Sequence, residues 1–126
     1  MKAWVVAALI SGVPSTAHAV ATGRDPLAAT KAAGSLLVGD DAPPAVRLAA
    51  AVPVHLALSW FWGALLVRRL PRANRALSGA AAGLAIAAVD LGAVGRRRPA
   101  IRGLPLAPQL ADHALFGAVV GALSRG

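Results

Sequence analysis

From Leu48 to Val67 the chain reads LAAAVPVHLALSWFWGALLV, about 20 residues without a formally charged side chain. At a helical rise of about 1.5 Å per residue the run covers about 30 Å, the thickness of a bilayer's hydrocarbon core. Arg47 on one side and Arg68 and Arg69 on the other close it off sharply. The run therefore predicts a transmembrane helix and an all-α fold around it. A bilayer is the partner it implies.

Composition points the same way. Charged residues make up 14% of the 126 residues and hydrophobic ones 57%, whereas soluble domains carry about 25% charge. A soluble chain of this size would bury so much apolar surface poorly. The whole of 1–126 is expected to form one membrane domain. The absence of cysteine excludes disulfides, thiol catalysis and thiolate metal sites. A net charge of +8 raises the question of nucleic acid. The arginines, however, cluster at the ends of apolar runs, where headgroups anchor them, so no nucleic-acid partner is expected.

Three further apolar segments accompany the first. Residues 3–22 hold Ser11-Gly12-Val13-Pro14-Ser15-Thr16, and Pro14 predicts a kink in a spanning helix. The same stretch also reads as a secretory signal peptide, with Lys2, an apolar core and an Ala17-His18-Ala19 cleavage site. Residues 76–95 are rich in Ala and Gly and carry Asp90; if they do not cross, they would be re-entrant or interfacial. Residues 108–124 include Asp112 and His113 near their start. Gly79 and Gly83, and again Gly117 and Gly121, show the G-x-x-x-G spacing that lets helix backbones approach closely in lipid.

Between the first two spans, residues 26–38 have the composition of an interfacial amphipathic helix. Asp25 and Pro26 would serve as its N-cap and first residue, and Leu27, Ala28, Leu36 and Leu37 would press on the interface while Lys31 stays wet. Arg68, Arg69, Arg72 and Arg75 fall within one tight turn, which points to that turn and the N-terminus being cytoplasmic. With four spans, Lys2, Arg125 and those four arginines would share the inner side. Seven cations would lie outside, so the wider balance gives no bias.

Five ionisable side chains lie inside the apolar segments: His18, His55, Asp90, Asp112 and His113. In an up-and-down bundle all five fall in one half of the membrane. Such groups are costly in lipid and face the bundle interior or water, so a polar pocket that binds a cation or passes protons is one expectation. Each also has a structural alternative. Asp90 would pair with Arg96, Asp112 would sit in a first helical turn, and His55 would bond a carbonyl one turn away, helped by Ser59. No metal-ligand spacing, nucleophile elbow or phosphate-cradling glycine loop accompanies them. No catalytic residue, metal or cofactor is expected.

The stretch His113-Ala-Leu-Phe116-Gly117-Ala-Val-Val-Gly121 resembles the H-x-x-[FY]-G-x-x-x-G ending of small multi-spanning bacterial inner-membrane proteins of the YagU type. Ser11 to Thr16 resembles the small-residue turn of their first helix. The resemblance implies a multi-pass inner-membrane protein and carries over no catalytic residue.

The expected protein is thus an integral membrane helical bundle of three or four transmembrane helices with one interfacial helix. Its expected role is that of a non-enzymatic membrane component. It would pack through its small-residue faces with a second copy or a partner membrane protein. The alternative is a minor transporter or proton relay using the Asp/His cluster.

Overall fold

The computed structural model describes residues 1–124; Arg125, counted above among the inner-side cations, lies outside them. The described chain is helical: α1 (Ala3–Ile10), α2 (Val13–Ala21), α3 (Ala28–Val38), α4 (Pro44–Arg69), α5 (Arg75–Ala87), α6 (Pro99–Arg102) and α7 (Leu106–Leu123). α5 runs on through a π-helical turn, Ala88–Val94, and a short 3-10 turn, Gly95–Arg97. Four stretches are long and apolar enough to cross a membrane: Ala3–Ala21, Pro44–Arg69, Arg75–Arg97 and Leu106–Leu123.

The uncharged run lies wholly within α4, which extends past it at both ends. Pro44 occupies the first turn, where its missing N–H and fixed φ cost nothing. The third stretch is one continuous helical rod rather than a re-entrant loop. Asp90 does not interrupt it; the ladder widens to the π form around that residue.

The first stretch breaks two residues before its expected kink. The i→i−4 ladder stops at Ser11, whose N–H bonds Ala7, and restarts with Thr16 bonding Gly12. Ser11 and Gly12 form a turn between α1 and α2. Pro14 then sits in the first turn of α2, where a proline is tolerated, so it starts the second half-helix instead of kinking a continuous one.

α3 starts two residues later than its expected first residue, Pro26. It begins at Ala28, and Asp25 caps the preceding turn by accepting the Leu27 N–H at 2.9 Å. Its buried face is Ala32, Gly34 and Ser35, laid against α4, while Leu27 and Leu37 are exposed. The reason is close approach: a side chain at Gly34 would overlap the backbone carbonyl of Arg47. Small residues win this face because they let two backbones meet.

The interior as a whole follows that rule. Ala7, Ala32, Ala51 and Ala87 are buried, and the larger core cluster is only Leu66, Ile86, Phe116 and Val120 around Ala7. Large apolar side chains point outward instead, with Leu9 at 72% and Leu77 at 73% exposure. The accessible surface is 7252 Å², against about 6,200 Å² for a water-soluble monomer of this mass.

α7 is the centre of the bundle, touching α1, α2, α4 and α5. Its crossing with α5 brings the two backbones together at three glycine contacts. Gly79 lies on the carbonyl of Gly117, Gly83 on that of His113, and Gly121 on that of Arg75. The two G-x-x-x-G faces meet each other inside one chain.

Candidate functional site

His113 lies on the second turn of α7 and Asp90 on the π-helical turn of the third stretch. The α5–α7 glycine crossing brings the two backbones together at Gly83 and His113, which sets the ring against the carboxylate. His113 Nε2 is 3.4 Å from Asp90 Oδ2, and both side chains are about one-fifth exposed. His113 Nδ1 is 2.8 Å from the backbone carbonyl of Gln109.

The Gln109 contact fixes one proton of the ring. A carbonyl only accepts, so Nδ1 carries a hydrogen and donates it to Gln109. As a hydrogen bond the Nε2–Oδ2 contact requires one further proton, on the ring or on the carboxyl. In either arrangement the pair is neutral overall, the form that costs least among apolar helices. Asp90 therefore does not pair with Arg96.

Two other ionisable residues serve the break between α1 and α2. His55 Nε2 is 2.7 Å from the carbonyl of Ala8. Asp112 Oδ1 accepts the backbone N–H of Ser15 at 2.8 Å. An unbroken helix would have used that carbonyl for Gly12 and that N–H for Ser11. A buried backbone group without a partner costs about 1–3 kcal/mol, so each side chain replaces one lost rung. His55 reaches another helix rather than a carbonyl one turn away along α4. Asp112 is the seventh residue of α7, too deep for a first-turn carboxylate stabilised by the helix dipole.

His18 stands apart from the other four. It is half-buried near the end of α2 and lines a cavity of about 240 Å³ with Ser15, Arg24, Pro105, Pro108 and Gln109. The structure thus brings together Asp90 and His113 and assigns His55 and Asp112 to the helix break. Among the described residues no three such groups converge as metal ligands would.

Several residues that organise this region carry no strong sequence signal. Gln109 and Ala8 act through backbone carbonyls, which any residue supplies. Gly63 admits the Cβ of Trp4 and so lets α1 cross α4; its spacing four residues after Ser59 is the one visible clue. Arg75 folds back from the basic turn. Its guanidinium donates to the carbonyls of Val67 at 3.3 Å and Leu70 at 3.2 Å, and to Ser124 Oγ at 3.0 Å. It closes the end of α4 and is not free for a headgroup. Trp62 packs on the core cluster, while Trp60 and Phe61 point outward.

The chain matches no protein-family model, no curated protein and no solved structure.

Proposed function

We propose that this chain is a non-enzymatic, multi-pass membrane protein, of the kind the YagU resemblance implies, whose intramembrane polar groups hold the bundle together. The observation that carries the reading is the assignment of His55 and Asp112 to one helix break and of Asp90 and His113 to each other. Ionisable residues in lipid ordinarily mark a pathway. Here each of these four has a partner whose loss would leave a buried polar group or charge. The outward-facing large apolar side chains support a lipid surrounding, because lipid removes the reason to bury them. The glycine faces are spent within the chain, so association with a second copy or a partner would use the outward Leu, Val, Trp and Phe surface instead.

A proton or cation relay through Asp90 and His113 is the second reading. The π-helical turn that carries Asp90 favours it, since such turns recur at functional sites. Against it, His113 is held on its other side by the Gln109 carbonyl, and the α5–α7 crossing beyond it is closed backbone to backbone.

Proton flux separates the two. The purified protein is reconstituted into liposomes with a trapped pH dye and an imposed pH gradient. The expected result is decay no faster than in empty liposomes, for the native chain and for Asp90→Asn alike, with Asp90→Asn less stable to denaturant. Faster decay in the native chain that Asp90→Asn abolishes would establish the relay and refute the structural role.

A further inference from the structure

Arg96 lies in the last turn of the third span and Arg102 ends α6, four residues before α7 begins at Leu106. They line one cavity of about 230 Å³ together with Leu91, Ile101, Leu104 and the buried Gln109. Ile101 packs directly onto Gly95, where any side chain would collide with it. That contact folds α6 back on the end of the third span, so that both arginines line the same cavity.

Neither guanidinium is neutralised. The ion pairs among the described residues are Lys31–Asp25 and His113–Asp90. The carboxylate nearest to α6 by contact, Asp40, accepts the backbone N–H of Ala100 at 3.3 Å. Two unpaired cations therefore stand over an apolar recess at the end of two spans, the depth at which lipid headgroups lie. The cavity holds the volume of about eight water molecules, room for a phosphodiester and the first carbons below it. Guanidinium forks suit phosphate oxygens in a bidentate fashion.

We propose that the Arg96–Arg102 cavity binds one anionic phospholipid, its phosphate on the two arginines and its upper acyl carbons on Leu91, Ile101 and Leu104. The inference rests on the membrane placement proposed above. Leu91 follows Asp90 in the chain, and the Gln109 carbonyl holds His113, so the bound lipid sits beside the Asp90–His113 pair.

The test uses the full chain in zwitterionic phosphatidylcholine nanodiscs, with phosphatidylglycerol added and retained lipid counted by native mass spectrometry. The expected result is retention of phosphatidylglycerol over phosphatidylcholine. Arg96→Gln with Arg102→Gln should weaken it about thirty-fold, at about 1 kcal/mol per arginine. Arg96→Lys with Arg102→Lys, which keeps charge and fold, should weaken it less. Arg68→Gln with Arg69→Gln, at the opposite end of the bundle, should leave it unchanged. Equal loss in both glutamine pairs would mean diffuse attraction and overturn the site. Inorganic phosphate or glycerol phosphate that competes as strongly as the lipid would show a plain anion site and overturn the lipid assignment. No preference for phosphatidylglycerol would overturn it too. A chain that an alkaline wash strips from native membranes would instead overturn the membrane placement itself.

Discussion

Alanine at Gly117 would place a methyl carbon 2.7 Å from the carbonyl carbon of Gly79. Ordinary carbon contacts lie at about 3.5–4.0 Å, so α5 and α7 would part by about 1 Å. A gap of that size forfeits about a quarter to a half of each dispersion contact across the crossing, including those of Ile86, Phe116 and Val120. Overpacking of this kind costs about 1–3 kcal/mol. The better helix propensity of alanine returns about 0.8–1.0 kcal/mol, which leaves a net loss of up to about 2 kcal/mol. Gly83→Ala acts at the same crossing, with the added carbon 2.8 Å from the carbonyl carbon of His113, so it also displaces the residue that meets Asp90. Gly92 is the control, because nothing lies within 4 Å of an added carbon there. Gly92→Ala keeps only the propensity gain and reverses the sign. The assay is equilibrium unfolding in mixed micelles by titration with a denaturing detergent, read by helical circular dichroism and by tryptophan fluorescence. Gly83→Ala and Gly117→Ala variants as stable as Gly92→Ala would refute a backbone-on-backbone crossing.

The remaining predictions concern the other polar anchors. His55→Ala and Asp112→Ala should each cost about 1–3 kcal/mol in the same titration, because each leaves one buried backbone group of the helix break unpaired. Asp112→Asn keeps an acceptor for the Ser15 N–H and should lose less; equal losses for Asn and Ala would discard the capping role. Arg75→Ala should cost about 1–2 kcal/mol and speed tryptic cutting at Arg68, Arg69 and Arg72. Arg75→Lys should not restore protection, since an ammonium cannot span three acceptors with a planar fork; full rescue by lysine would contradict the geometry. Asp25 lies outside the spans, where Lys31 beside it and the Leu27 N–H hold its carboxyl below the ordinary 3.8. A lowered folded-state value adds stability that is present above 3.8 and lost as pH falls through the folded value. An NMR titration of Asp25 should have its midpoint below 3.8 and move up in Lys31→Ala; a midpoint at or above 3.8 in the native chain would contradict the pairing.

Much of the architecture was legible because its signals are local. An uncharged run bounded by arginines needs no neighbour to be recognised as a span. Gly79, Gly83, Gly117 and Gly121 announced a close packing face by spacing alone. Their partner was not legible, because the same spacing serves contacts within one chain and between chains. The helix break shows a different limit. Pro14 was visible, but a proline in the first turn of a helix is harmless, and where that turn begins depends on which side chains satisfy the interrupted rungs. His55 and Asp112 supply them from spans 47 residues and 97 residues away in sequence.

The sequence by itself determined the helical class, the four apolar stretches, the arginine-marked ends and the presence of five ionisable groups in apolar surroundings. These follow from hydropathy and charge, which each residue carries wherever it goes. Only the tertiary structure decided what the ionisable groups do. It set His113 against Asp90 through a glycine crossing, turned His55 and Asp112 to the broken helix, left His18 at a cavity, and stood Arg96 and Arg102 over an apolar recess. Those assignments depend on contacts a few ångströms long between helices far apart in the chain. Hydropathy places a residue at a depth in the bundle, and packing alone gives it a partner.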